Sequence, residues 1–370
     1  MISKEEISFN KSIGINNQRR LHLEISYGCN IRCRMCTFHD DHKKVTWMPY
    51  ESIKNIKDGL DRFGLVHIGD GSEPLINPEW EKIFKHFTNE GIKVSIQTNG
   101  KKIRTLESAK RLVATGVHAV SISLDGVTDE TVGRIREGTD FSSILKAVDY
   151  IIEAKKLLKS DTPYLFSNCV AMRSNLNEIP ELTRLLLDRG FIRLRIGFLE
   201  LRKADPSLVS ELLIYDSETA KRIAGEVREI VKKSGKNIYL DLELFEEGQS
   251  QVRLEQCTVY HDRIYVRQDG ESFACYGKKR IGNIFEDGIE KCLSSEAYED
   301  HCKTVTQKGN PICSRCSFCR IMSLDNINNH FGRRAIETYT QAVVEDSMRW
   351  VRKGRNVEEF WDRIHSEKKL

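Results

Sequence analysis

Between Arg20 and Phe198 the chain alternates short apolar, β-rich runs with longer stretches whose apolar residues recur at helical spacing. The runs Leu21–Ser26, Leu65–Ile68, Ile92–Gln97, Ala119–Leu124, Tyr164–Met172 and Ile192–Phe198 predict strands. Tyr50–Phe63, Glu79–Asn89, Thr105–Ala114, Phe141–Lys159 and Leu176–Asp188 predict amphipathic helices between them. Gly64, Gly91, Gly116 and Gly190 stand where a helix must stop before the next strand, so each is expected to take a left-handed cap conformation. Strand–helix repetition at this spacing predicts parallel βαβ units. Periodicity leaves a barrel and an open doubly wound sheet equally allowed. In either, ligands gather at the C-terminal ends of the strands.

Past the sixth strand the pattern changes. Arg202–Ser234 reads as a linker and helix, and Asn237–Leu244 as a short strand. From about Glu255, Arg263–Arg267 and Ser272–Cys275 flank Gln268, Asp269 and Gly270, which predicts a hairpin with Asp-Gly at its turn. The last fifty residues read as charged helix, with Trp350, Phe360 and Trp361 expected to pack back onto the body.

Composition adds mostly exclusions. Of 370 residues, 39% are apolar and 30% charged, an ordinary soluble balance. The net charge of +4, from 58 basic and 54 acidic residues, does not call for nucleic acid as a partner. No apolar run approaches the roughly 18 residues that span a bilayer. The N-terminal residues show no basic patch followed by an apolar core, so a cytoplasmic protein is expected.

Eleven cysteines in such a chain read as metal ligands rather than disulfides. Cys29, Cys33 and Cys36 fall in a C-x3-C-x2-C spacing directly after the first predicted strand. Three thiolates on one loop can face one iron–sulfur centre and leave one iron open. A zinc knuckle or buried structural thiols are the alternatives. Cys257, Cys275, Cys313, Cys316 and Cys319 form a second group. Cys292 and Cys302 are expected to be structural, and His39, His42 and His118 to be surface or packing residues.

The first spacing resembles the signature of the radical S-adenosylmethionine (radical SAM) superfamily. That resemblance implies a partial (β/α)6 barrel of α/β class. It also implies a 4Fe–4S cluster whose open iron chelates SAM, and reductive cleavage to a 5′-deoxyadenosyl radical that abstracts a substrate hydrogen. Further motifs follow in the expected order. Gly69 to Leu75, containing Gly71, Ser72 and Glu73, resembles the glycine–glutamate motif that binds the SAM amino group, with Ser72 where glycine is usual. Gln97 to Gly100, including Thr98, and Ser121 to Gly126 resemble rim motifs of the family. Ser123 and Asp125 share one strand face; if that face is the barrel interior, Ser123 can bond SAM. Asn99 also reads as a plain strand-ending turn. Met172 to Leu176 implies Arg173 on the SAM carboxylate and Asn175 on ribose, although Asn175 reads equally as a helix N-cap. Met35 replaces the aromatic residue frequent before the third cysteine, and Phe38 is a further contact near adenine.

The second cysteine group resembles the auxiliary-cluster appendage called SPASM in its shorter Twitch form. This implies a second 4Fe–4S cluster on Cys257, Cys275, Cys313 and Cys316, with Cys319 competing with Cys316. A zinc ribbon is the other reading. The expected division is an N-terminal extension (1–20), a radical SAM barrel (21–236), an auxiliary-cluster domain (237–325) and a helical tail (326–370). The resemblance implies a flavodoxin- or ferredoxin-type electron donor, and an auxiliary cluster that takes the second electron in an oxidation. A small polar, carbohydrate-like substrate is expected. Peptide-modifying relatives commonly carry an added recognition domain ahead of the barrel; only about twenty residues precede the first strand here, which favours a small molecule and keeps a peptide-modifying maturase as an alternative. If Cys169 faces the barrel interior it can donate hydrogen, as in radical epimerases; as a strand cysteine it also reads as core. A non-catalytic metal-cluster protein is the alternative of another class.

Overall fold

All six predicted strands form and lie side by side in chain order. They are β1 (Arg20–Leu23), β2 (Leu65–Ile68), β3 (Val94–Thr98), β4 (Ala119–Ser123), β5 (Tyr164–Ala171) and β6 (Phe191–Phe198). Each pairs in parallel with the next. The computed structural model describes residues 4–15, 19–36, 45–56, 58–199, 208, 211, 213–242, 263–275 and 279–305. One further parallel strand flanks each side, β7 (Tyr239–Leu242) on β6 and β8 (Arg263–Val266) on β1. β8 then turns through Gly270, at φ 84°, into antiparallel β9 (Glu271–Phe273), which pairs with β10 (Arg280–Asn283). The predicted hairpin is therefore present, and its first strand completes a 10-stranded sheet. Six consecutive parallel strands with helical crossovers make the partial (β/α)6 barrel.

The strand period of two divides the sheet into a helix-facing side and an interior side. Leu21, Leu23, Val66, Ile68, Val94, Ile96, Val120 and Ile122 are almost fully buried in the main core. Over that core lie the buried faces of helices Trp80–Asn89 (Phe84, Phe87), Leu106–Val113 (Ala109, Leu112), Phe141–Leu157 (Ala147, Ile151) and Ile179–Asp188 (Leu182, Leu186). The alternate positions are apolar where the strands begin, at Leu65, Ala119 and Phe166, and carry polar groups further along. Register aligns His22, His67 and Ser95 in one row and Gln97, Ser121 and Phe166 in another.

The N-terminal segment forms a helix, Lys4–Ser12. Phe9, Ile13 and Ile15 pack against Leu65, Ala119 and Phe166 and close the end of the barrel where the strands begin. Glu6 on this helix pairs with Arg20 at 3.0 Å and Arg193 at 3.4 Å.

Three expectations change. The stretch Tyr50–Phe63 is not one helix. It forms Tyr50–Lys54 and a single 3-10 turn at Leu60–Arg62, because Gly59 takes a left-handed φ of 80° against Ile289. Gly91, Gly116 and Gly190 have the expected positive φ, but Gly64 does not; its N–H instead donates to Arg19 O at 2.9 Å. A helix not anticipated, Asp129–Ile135, starts where Thr128 accepts the Thr131 N–H. The predicted tail with Trp350, Phe360 and Trp361 lies outside the described residues.

Candidate active site

After β1 the chain crosses the C-terminal rim through Ser26–Tyr27, which pairs antiparallel with Thr46–Trp47. The loop carrying Cys29, Cys33 and Cys36 follows, and several bonds fix its course. Arg32–Cys33 pairs antiparallel with Arg136–Glu137, and Arg34 N–H donates to Ile135 O at 3.0 Å. Cys36 N–H donates to Cys33 O at 3.0 Å, and Glu73 N–H to Gly28 O at 3.0 Å. Among the described residues none of the three forms a disulfide, and all are half-buried.

Two side-chain donors converge on these sulfurs. Asn99 Nδ2 lies 3.5 Å from Cys29 Sγ and 2.8 Å from Asn30 Oδ1, while Asn99 Oδ1 accepts from Lys101 N–H. Arg136 Nη1 lies 3.5 Å from Cys33 Sγ, and its Nε is 2.6 Å from Asp125 Oδ2. Burial pushes the Cys29 thiol up to about 12, a backbone bond from Ile31 opposing it. Burial pushes Cys33 up as well, against the pull of Arg136. Thiols so placed stay protonated until a metal displaces the protons. Three sulfurs on one loop, two of them met by N–H donors, fit a 4Fe–4S cluster with one iron left open.

Glu73 is 2% exposed. Its Oε1 accepts from Thr98 Oγ1–H at 2.7 Å and Leu75 N–H at 3.2 Å, and its Oε2 from Asn99 N–H at 2.8 Å. Burial pushes its pKa to about 7 against the pull of those bonds. Glu73 therefore clamps the end of β3 to the cysteine loop, and Thr98 serves that clamp. Gly71 N–H and Ser72 Oγ instead donate to Glu24, at 2.8 and 2.6 Å. Burial, then the neighbouring Asp70 charge, pushes Glu24 up to about 8. The motif bends at Gly69, at φ 103°, where a Cβ would lie 2.6 Å from Gln97 O; only glycine fits.

Ser123 sits in register with Asn168, whose Nδ2 donates to Gln97 Oε1 at 3.3 Å across the interior face. This places Ser123 on the interior side. Asp125 is fully buried, pairs with Arg136 and accepts Val170 N–H at 2.7 Å.

Two assignments are corrected. Asn175 holds the N-cap position of the 3-10 turn Leu176–Glu178 but makes no side-chain cap bond there, and its amide is committed elsewhere than to ribose: Nδ2 donates to Asp125 O and Val170 O, and Oδ1 accepts from Met172 N–H. Its amide ties the ends of β4 and β5. Cys169 alternates with Asn168 and so points away from the interior; it is 1% exposed and packs with Leu165 and Ala171 in the main core. It cannot donate hydrogen to a substrate inside the barrel. Arg173 is exposed at the rim, and Met35 packs beside Ile135 and Met172. Phe38, Cys257, Cys313, Cys316 and Cys319 lie outside the described residues, and Cys275 is half-buried just past β9. Asn99, Arg136 and Glu24 were not singled out as site residues from the sequence. Asn99 stands in a motif that reads equally as a turn, and Arg136 and Glu24 carry no local signal.

Comparison with known proteins agrees with this geometry. Residues 23–186 match the radical SAM superfamily, and residues 257–319 match an iron–sulfur cluster-binding domain. Over 322 residues the chain is 26% identical to the tungsten-containing aldehyde ferredoxin oxidoreductase cofactor-modifying protein of Pyrococcus furiosus, covering 80% of this chain and 86% of that one. It is 31% identical over 132 residues to the mycofactocin maturase MftC of Mycobacterium tuberculosis, 35% of this chain and 34% of that one. The fold resembles Streptococcus suis SuiB bound to S-adenosylmethionine, with TM-score 0.63, 15% identity, and 85% and 74% of the two chains covered. It also resembles native anSMEcpe with bound AdoMet, with TM-score 0.60, 17% identity, and 88% and 99% covered. Among the described residues no helix is long and apolar enough to cross a membrane.

Proposed function

The chain belongs to the radical SAM superfamily and carries an iron–sulfur cluster-binding domain, and we propose that it oxidises a small polar, carbohydrate-like or cofactor-like molecule inside the barrel. As an enzyme of this family it uses SAM and 4Fe–4S clusters. Cys29, Cys33 and Cys36 would hold the first cluster, which with SAM supplies hydrogen-atom abstraction through reductive cleavage. Cys257, Cys275, Cys313 and Cys316, or Cys319 in place of Cys316, would hold a second cluster that accepts the remaining electron.

The observation that carries this reading is the polar interior face. Gln97, Ser121, Ser123 and Asn168 share it, and on β6 and β7 Arg195 and Asp241 stand in register, 3.6 Å apart. Such a wall can bond hydroxyl or anionic groups and hold one C–H toward the rim. Asn99 and Arg136 would stabilise the cysteine sulfurs as thiolates, and Glu73 would keep their loop in register with β3. Around them, Ser72, Ser123 and Arg173 are the side chains proposed for SAM, with Met35 and Phe38 near its adenine. The Pyrococcus relative, matched over most of its length, is described by its name as cofactor-modifying, which favours a small molecule. Peptide modification is the second reading, supported by the partial match to a maturase.

The test is SAM turnover by anaerobically reconstituted enzyme with reductant. Panels of deuterated polyols, amino sugars and pterin-type cofactors would be compared with peptides. Deuterium in the released 5′-deoxyadenosine and a product lacking two hydrogens are expected with a small polyhydroxylated compound. Deuterium transfer from peptides alone would overturn the proposal.

A further inference from the structure

Below the cysteine rim, on the interior side, His22 of β1 and His67 of β2 occupy paired positions. Their ring centroids are 5.0 Å apart. Asp70, just past the end of β2, reaches back between them. One of its oxygens lies 3.2 Å from His67 Nε2, and the other contacts His22 Nδ1. One ring nitrogen from each histidine and one carboxylate oxygen lie within 4.8 Å of one another. The His22 side chain is only 7% exposed, and among the described residues its Nε2 has no hydrogen-bond partner. A buried polar atom left so costs about 1–3 kcal/mol unless something in the interior satisfies it. His67 and Asp70 are 16% and 17% exposed, so the group opens on one side.

We propose that His22, His67 and Asp70 form a binding site for a divalent first-row metal ion, separate from both cysteine groups. Two imidazoles and one carboxylate are a donor set that suits zinc, iron(II) or manganese and leaves coordination positions open. His22 Nδ1 and His67 Nε2 both face the Asp70 carboxylate, so one nitrogen of each ring stands beside its oxygens. Around the site, the Tyr265 ring of β8 packs 4.7 Å from His22, and Glu24 bonds Gly71 and Ser72 directly after Asp70. The nearby cation is Arg263, which opens β8 in register with Arg20 of β1. The open positions face the space where a substrate would lie, so a hydroxyl, carboxylate or phosphate oxygen can complete the shell. The site stands whether the substrate is a small molecule or a peptide.

Anaerobically reconstituted full-length enzyme, its cysteine sites filled with iron, would be dialysed against buffered zinc ion and its metals counted by mass spectrometry. One zinc per chain beyond the iron is expected, with nitrogen and oxygen but no sulfur in its X-ray absorption spectrum. Asp70→Asn and His67→Gln should each weaken zinc retention by at least about tenfold, a loss typical even for partners outside the coordination shell. His67→Gln is the variant most tolerant of change, and an unaltered iron content certifies its fold. No retained zinc in the parent enzyme, equal retention in both variants, or sulfur in the zinc shell would each overturn the site.

Discussion

Asn99 and Arg136 each set one N–H donor against a cysteine sulfur, and hydrogen bonds to sulfur are among the levers that set a cluster's potential. Asn99→Ala should therefore lower the midpoint potential of the SAM-binding cluster, read by EPR-monitored titration; an unchanged potential would mean that the amide serves only the loop. Arg136→Met is expected to act differently. It leaves Asp125 buried without its partner, which should cost about 3–5 kcal/mol in denaturant unfolding. At this scale the cysteines were legible because their spacing is local. Arg136 was not, because it reaches Cys33 only through the pairing of Arg32–Cys33 with Arg136–Glu137. Glu73 was legible as a motif residue while its use was hidden. Its three donors come from its own turn and from the end of β3.

Among the elements, the turn after β2 carries the most constraint. A side chain at Gly69 would strike Gln97 O, and its φ of 103° is unfavourable for any other residue. Gly69→Ala should destabilise the protein by more than about 1 kcal/mol, seen as a lower denaturant midpoint at constant slope, with lower iron content after reconstitution. A wild-type midpoint would show that the turn can move. The six barrel strands were readable because their apolar runs are bounded by glycines and caps. The helix expected over Tyr50–Phe63 was not, because Gly59 adopts a left-handed conformation against Ile289 of a distant helix. Cys169 shows the same limit on one strand: which face is interior depends on the sheet's curl, and the Asn168–Gln97 bond identifies it.

For the whole molecule, β8 matters most, since the chain returns from the second region to pair with β1. The division proposed at residue 237 thus separates segments that share one sheet. That long-range closure has no signature in the local pattern, although the hairpin itself was legible. At the opposite end, His118, directly before β4, packs edge-on against Tyr164 with ring centroids 5.2 Å apart and lies near the Ile13 backbone. Burial pushes its pKa down to about 4, below the unfolded value of 6.5. The unfolded chain then binds the extra proton between those values, so stability falls as pH drops from 6.5 toward 4. His118→Gln should flatten the change in melting temperature between pH 7 and pH 5; an unaltered pH dependence would assign it to other groups.

The proposal that Cys29, Cys33 and Cys36 hold the cluster that cleaves SAM has one most direct test. Reconstituted wild-type enzyme and the Cys29→Ala/Cys33→Ala/Cys36→Ala variant would be assayed together for iron and for 5′-deoxyadenosine released under reductant. The wild type should hold about eight irons, as two 4Fe–4S clusters require, and release the nucleoside; the variant should keep about half of the iron and release none. Nucleoside release by the variant at the wild-type rate, or no loss of iron, would contradict it.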